Sequence, residues 1–175
     1  MTRVHRFMYE NNRSAALTLQ QLTFQLVNEE YGVDILAVRE IRGWSRVTRI
    51  PQTPDYLLGV LNLRGAIVPI MDLRLRFGLP RESYGDTTVI IIVAVDERLF
   101  GIVVDAVSDV VDIDPAAIRS VPDMGAVVDT RYLKGLVANA EHMLMLLDVE
   151  KLMRPEDVET LDAAIPAIQE VEVAA

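Results

Sequence analysis

The chain has 175 residues, no cysteine, and 26 acidic against 17 basic side chains, for a formal charge of -9. That length is enough for one domain with a substantial core, and the lack of cysteine excludes disulfides, thiolate metal sites and cysteine nucleophiles. The acidic balance argues against a nucleic-acid partner, whose phosphates are met by clustered Lys and Arg, and the longest apolar run, Val89 to Val95, falls far short of the roughly 20 residues of a membrane span.

Residues 1–19 mix charges with Asn and Ser, show no hydrophobic period and are expected to form a mobile arm. No apolar segment follows Arg3, His5 and Arg6, so no signal peptide is read and a cytoplasmic protein is expected. From Gln20, Leu22, Phe24 and Leu26 alternate with Thr23 and Gln25, the two-residue period of a half-buried strand. Asn28 to Glu30 reads as a turn into a second strand, Tyr31 to Ile41, with Gly32 as a bulge or bend. Thr53-Pro54-Asp55 predicts a short helix with Thr53 as N-cap, ended by Gly59. Val60 to Leu63 and Ala66 to Met71 predict a hairpin turning at Arg64-Gly65, and Asp72 caps a helical turn through Arg76. In the second half, strands are predicted at Thr88 to Val95 and, long and bent, at Phe100 to Ile113, joined by a turn at Asp96-Glu97-Arg98. Asp114 caps a short helical turn, and helix, strand, strand and helical turn follow from Thr130 to Met153. Pro155 and Pro166 bracket a tail helix with Val158, Leu161 and Ile165 on one face.

Two stretches recur. Tyr56 to Leu73 returns, much altered, as Tyr132 to Val149, and Tyr31 to Ile41 returns as Phe100 to Val110. The offset grows from 69 to 76 positions, which places an insertion of seven residues between the blocks of the second copy, around Pro122 to Asp129. Two copies of this length imply a pseudo-symmetric pair of subdomains rather than a solenoid. Many short strands with closely spaced turns imply an all-β fold, best met by two five-stranded barrels side by side. The expected division is an arm over 1–19, a domain over 20–153 with barrels at about 20–87 and about 88–153, and an acidic, partly helical tail over 154–175.

Signatures of catalysis are missing: there is no triad, phosphate loop, zinc motif or dinucleotide fingerprint. Of the two histidines, His5 falls in the arm and His142 in the second hairpin turn, and a metal site needs several converging ligands. Val89 to Asp96 superficially matches the acidic strand end of a phosphate receiver, but Asp-Glu-Arg is ordinary turn chemistry and no helical period follows. Asp72 and Asp148, matched between copies, are read as N-caps rather than an acid/base pair. The copies differ elsewhere. Glu40 has Asp109 as its counterpart, whereas Arg64 and Gly65 correspond to Ala140 and Glu141. Glu40 and Arg64 either pair across the first subdomain and shape a recognition turn, or Arg64 is a solvated turn residue.

Glu30-Tyr-Gly-Val-Asp-Ile, Val38-Arg-Glu-Ile-Arg-Gly43, Val47-Thr-Arg-Ile-Pro51, Leu63-Arg-Gly-Ala-Ile-Val-Pro-Ile70 with Asp72-Leu-Arg, and Gly101-Ile-Val-Val-Asp-Ala-Val-Ser-Asp109 together resemble the CheW family of chemotaxis coupling proteins, from about Gln21 to Met153. The resemblance implies two SH3-like barrels around a shared hydrophobic core, no enzymatic activity and no cofactor or metal. It also implies an adaptor in a two-component system, joining the chemoreceptor signalling tip to the regulatory domain of the histidine kinase CheA at membrane-associated arrays without inserting in the membrane. Carried over by position, the receptor-facing residues are Val38, Glu40, Gly59, Asn62, Arg64 and Ile67, and the kinase-facing residues are Val89, Gly101, Val107, Arg119 and Met124. Trp44 departs from the pattern as an aromatic that would enlarge a contact. The alternative is a CheW-like module of a larger signalling protein or of a non-flagellar chemosensory pathway; the short tail after the fold favours a standalone adaptor.

Overall fold

The computed structural model describes residues 18–121, 130–139 and 142–174, and in the last helix describes side chains as far as Pro166. The expected mobile arm with His5, the inserted loop near Pro122 to Asp129 and Met124 within it lie outside the described residues, apart from the arm's last two positions and Pro122's neighbour Val121. Ten strands are described: β1 (Leu19–Leu26), β2 (Glu29–Asp34), β3 (Val38–Gly43), β4 (Leu57–Leu63), β5 (Ala66–Asp72), β6 (Val89–Val95), β7 (Arg98–Val104), β8 (Ala106–Ile113), β9 (Leu133–Asn139) and β10 (His142–Leu147). Two α-helices accompany them, the single turn α1 (Leu73–Arg76) and the long α2 (Pro155–Ala174).

The strands form two five-stranded sheets, ordered β3-β6-β7-β5-β4 and β8-β1-β2-β10-β9. The first, made from the middle of the chain, is the central barrel; the second, made from both ends, is the terminal barrel. This corrects the expected split at about 87/88. With β1 to β5 as one copy and β6 to β10 as the other, each barrel takes its first hairpin from the opposite copy: β6–β7 completes the central barrel and β1–β2 the terminal one. The crossing happens where each long strand bends. Between β2 and β3 the bend is a 3-10 turn at Ile35–Ala37, capped by Asp34, whose carboxylate accepts the Leu36 amide at 3.0 Å. Between β7 and β8 it is Asp105, whose carboxylate accepts the Val27 amide at 2.7 Å and Nε–H of Arg74 at 2.7 Å. Gly32 is therefore not the bend: it sits in β2 opposite Thr23, against Gln21 and Leu146.

Each sheet closes through a short pairing of the chain after its edge strand with the opposite edge. Thr48 pairs with Val60 of β4, and Arg119 pairs with Leu136 of β9. Gly59 makes the first closure possible: at φ 151 its missing Cβ would fall 2.0 Å from the Thr48 carbonyl oxygen. This explains why residues 53–59 do not form the expected helix. The Tyr56 carbonyl is taken by the Asp72 amide at 2.8 Å and the Leu57 amide by Pro54 in a turn, so Leu57 already begins β4. Backbone pairing across the barrel outweighs the local preference of Pro54 for a helix start.

The shared core between barrels draws Leu22, Phe24, Leu26, Tyr31 and Val33 from β1 and β2, and Met71, Ile91, Val93, Ile102 and Val104 from β5, β6 and β7. Phe24, Tyr31, Phe77 and Tyr132 run through it as successive ring contacts with centroids 5.7, 5.7 and 5.4 Å apart. Burial at this depth raises the Tyr31 phenol above its usual range. A second cluster fills the central barrel, including Leu63, Val68, Ile70, Ile90, Ile92 and Val103. β1 thus departs from simple alternation: its apolar side meets the shared core, while Gln21 and Thr23 on the other side are also buried, Thr23 donating its hydroxyl to the Asp109 carbonyl at 3.1 Å.

The matched aspartates are caps, as expected. Asp72 accepts the amides of Arg74 at 2.9 Å and Leu75 at 3.4 Å, and Asp148 that of Glu150 at 3.2 Å. Asp72 also accepts the Tyr84 hydroxyl at 2.6 Å. Desolvation, with that hydrogen bond second, pushes the Tyr84 phenol above its normal range. Trp44 stacks on Tyr84 with centroids 3.9 Å apart, and both rings pack, partly buried, against the cluster that fills the central barrel. The tail helix does not stop near Pro166 but continues to Ala174, and it lies back on the central barrel with Leu161 buried.

Candidate partner-binding surfaces

The expected receptor-facing residues gather around the closing seam of the central barrel. β3 and β4 are the two edges of the sheet, and closure brings them together, so Glu40 on β3 meets Arg64 at the tip of the β4–β5 hairpin. Arg64 Nη2 donates to Glu40 Oε2 at 3.0 Å, and Arg42 Nη1 lies 4.0 Å from Glu40 Oε1. The expected pairing of Glu40 with Arg64 is present, and Arg64 is at the same time a solvated turn residue. The turn itself is a two-residue type with both central residues left-handed, Arg64 at φ 53 and Gly65 at φ 88. Asn62 braces it by accepting the Gly65 amide at 2.9 Å, and Asn62 is the register partner of Ile67 on β5. The result is a guanidinium that is 85 % exposed yet held at a defined place by a carboxylate that is 32 % exposed. A surface ion pair of this sort contributes only about 0 to 1 kcal/mol to stability, so its main effect is on the shape and charge of the turn.

Val38 begins β3 half-buried, opposite Val93, with its side chain against the shared core. Gly59 is different. It is buried at the closure, so any influence of this position on binding runs chiefly through the path of β4.

The expected kinase-facing residues divide between the barrels. Val89 opens β6 opposite Gly43 and Val104 in the central barrel, and Gly101 is buried in β7, where a Cβ would lie 2.6 Å from Ile70 and 2.8 Å from Ile90. Val107 is on β8 of the terminal barrel opposite Phe24, and Arg119, exposed, forms that barrel's closing pair with Leu136. Met124 lies outside the described residues. Gly101, like Gly59, serves packing directly: β7 lies between β6 and β5, and only a missing side chain leaves room for the isoleucines of both neighbours.

A cluster missed in the sequence joins the two copies at their centre. The Arg76 guanidinium lies 4.6 Å from the Tyr56 ring centroid and 4.7 Å from that of Tyr132, the matched tyrosines of the repeat, while its Nε–H donates to the Leu152 carbonyl at 2.6 Å. Tyr56 then donates to the carboxylate of Asp157, 2.8 and 2.7 Å from its oxygens, and accepts from Arg154 Nη2 at 2.8 Å. Desolvation, reinforced by the Asp157 hydrogen bond, raises the Tyr56 phenol. The recurring tyrosines were visible in the sequence, but nothing local linked them to an arginine some 20 residues after one of them and to the tail. His142 is the first, exposed residue of β10, not part of the turn. Among the described residues no three or more of His, Asp and Glu stand together as metal ligands, and no helix is long and apolar enough to cross a membrane.

Residues 20–157 match the family model described as the CheW-like domain. The chain is 50 % identical over 141 residues to a protein named chemotaxis protein CheW from Klebsiella aerogenes, covering 81 % of this chain and 85 % of that one. It is 32 % identical over 148 residues to the chemotaxis protein CheW of Bacillus subtilis, covering 84 % and 92 %. The crystal structure of the scaffolding protein TtCheW from Thermoanaerobacter tengcongensis superimposes with a TM-score of 0.74 at 32 % identity, covering 81 % of this chain and 91 % of that one. Its double SH3-like barrel, its sequence motifs and these matches all agree: the chain belongs to the CheW family.

Proposed function

We propose that the protein is a non-enzymatic adaptor of bacterial chemotaxis, coupling the cytoplasmic tip of a chemoreceptor to the regulatory domain of the histidine kinase CheA and recruited by them to receptor arrays. The observation that carries this reading is the Glu40–Arg64 pair, which fixes an exposed, charged turn at the seam of the central barrel. Such a turn suits recognition, since an ordered charge beside an apolar strand face steers and orients a protein partner more than it stabilises the fold. Val38, Asn62 and Ile67 flank it on β3, β4 and β5 and supply the apolar and amide contacts. The kinase regulatory domain is assigned to the other region, spanning Val89 on the central barrel and Val107 and Arg119 on the terminal one. An adaptor of this kind works by holding two partners at once, so its chemistry is that of surfaces.

Affinity measured separately for a receptor cytoplasmic hairpin and for the kinase regulatory domain tests this. The wild-type chain binds both and acquires no phosphate; Arg64→Ala weakens the receptor hairpin and leaves the kinase domain alone. Equal affinity of Arg64→Ala and wild type for the receptor hairpin rejects the assignment of the seam.

A further inference from the structure

Helix α2 lies across the face of the central barrel formed by β5 and the β6–β7 hairpin. Val158, Leu161 and Ile165 turn toward the barrel, a spacing of three and four that lines one side of an α-helix. One turn on, Asp162 faces Arg98 at the start of β7, and the two form parallel bonds of 2.8 Å each. The N-terminal end is tied more firmly: Asp157, 2 % exposed, accepts the Tyr56 hydroxyl and the Arg154 amide, the latter at 3.1 Å.

Beyond that anchor the seat is loose. A groove of about 440 Å³, open to solvent, runs alongside α2, with Ile67, Pro69, Leu99 and Phe100 on the barrel side. The helix therefore covers this apolar face without sealing it. The ion pair that holds its middle is more than half exposed at both partners, which makes it weak. Pro166, inside the helix directly after Ile165, removes a hydrogen-bond donor from the ladder. The family match ends at residue 157, so Leu161, Asp162 and Ile165 lie beyond the shared domain. The groove they cover includes Ile67, next to the Arg64 turn.

We propose that this face of the central barrel is a docking surface for an amphipathic helix, that α2 is its occupant in the free protein, and that a receptor helix bearing a similar apolar stripe and an acidic residue opposite Arg98 takes its place. The identity of the incoming helix rests on the coupling function proposed above. The chemistry of the groove does not, because α2 itself displays what the groove accepts: three apolar side chains on one helical face and a carboxylate set against Arg98. Asp157 and Tyr56 act as the hinge about which the rest of α2 leaves.

The lack of native cysteine allows a reversible test in the full chain. Glu97→Cys, exposed in the turn beside Arg98, and Asp162→Cys are combined and joined by a short cleavable dithiol cross-linker, which leaves Arg98 in place for the incoming helix, and affinity for the receptor hairpin and for the kinase regulatory domain is measured unlinked, linked and after cleavage. The link is expected to weaken the receptor hairpin by about tenfold or more, since it lowers the fraction of open chain, with recovery on cleavage and little change for the kinase domain. In the wild-type chain, amide exchange of residues 158–165 is expected to speed up when the receptor hairpin binds. A linked chain that binds the hairpin as well as the unlinked one, or unchanged exchange in the bound chain, overturns the cover while leaving the coupling function standing. An unlinked chain that ignores the hairpin overturns the coupling function and the receptor helix as occupant together.

Discussion

The central and terminal barrels share one strand order, each wrapped around a hairpin from the opposite copy of the repeat, but they close in different ways. In the central barrel Gly59 lies with its Cα against backbone, where a Cβ would stand 2.0 Å from the Thr48 carbonyl oxygen and 2.7 Å from its carbon. In the terminal barrel the matching Gly135 approaches a side chain first, Ile118 Cγ2 at 2.6 Å, and then the Arg119 carbonyl oxygen at 2.9 Å. The charges at the two seams differ as well. Glu40 reaches out to Arg64 and Arg42, whereas its counterpart Asp109 accepts the amide of its own neighbour Val110 at 2.8 Å and is held through its backbone by Thr23. A closing bridge beside a glycine is what the copies keep; what crowds that glycine and how the seam is used are what they vary. In one barrel the carboxylate is joined to an arginine across the seam; in the other the matching carboxylate, itself exposed, is satisfied by its own neighbour's amide.

The largest expected effect comes from pressing on the closures. Gly59→Ala meets backbone that cannot move aside, at a φ that side chains rarely adopt, and is expected to destabilise by about 4 kcal/mol or more or to prevent folding. Gly135→Ala presses mainly on the end of an isoleucine and is expected to cost about 1 to 3 kcal/mol. Denaturant unfolding compares them, and equal costs would mean that the barrels close alike after all. Next comes the link from the central barrel to the tail: Tyr56→Phe leaves the buried Asp157 carboxylate without its phenol donor, an expected loss of about 1 to 3 kcal/mol. Unfolding midpoints read this, and exchange protection of α2 should fall with them.

Smaller in stability but sharper for function is the seam pair. Glu40→Ala and Asp109→Ala should each change stability by no more than about 1 kcal/mol, yet only Glu40→Ala is expected to weaken the receptor hairpin. Equal losses in binding would remove the functional contrast between the barrels. The smallest effect is on pH. The Arg98 guanidinium holds the Asp162 carboxyl below its ordinary value, chiefly through their hydrogen bonds. A depressed carboxyl stabilises the folded state above its unfolded pKa of about 4 and loses that contribution as pH falls through the lower folded value. The Tyr56 phenol is raised, so its contribution stands below about 10 and is lost as pH climbs through the folded value. Protection of α2 amides should therefore be level across neutral pH and decline at both extremes, first along residues near Asp162 in acid. A profile flat into strong acid would show that the ion pair does nothing to hold the helix.

Much of the candidate site could be read from residues alone. The Arg64-Gly65 turn, the capping roles of Asp72 and Asp148, the matched tyrosines and the possible Glu40–Arg64 pair all come from patterns a few residues long or from comparing the copies with each other. The burial of Gly59 and Gly101 could not, because a glycine's sequence position says nothing about which neighbouring strand crowds it. Nor could the stacking of Trp44 on Tyr84, 40 positions on, be read from the sequence around either residue.

The amino-acid order by itself settled the things that neighbouring residues decide: the all-β character, from two-residue periods and β-branched runs; the turns, from residues that tolerate left-handed backbone; the caps; and the twofold design, from its own internal echo. Only the tertiary structure decided which hairpin completes which barrel, that residues 53–59 serve a strand instead of a helix, and that the tail helix lies on the central barrel through Val158, Leu161 and Ile165. Each of these depends on hydrogen bonds and apolar contacts between segments far apart in the chain, such as Tyr56 with Asp157 or Arg98 with Asp162. Local preference amounts to a fraction of a kcal/mol per residue, and it yields wherever a distant partner offers a paired backbone or a buried face.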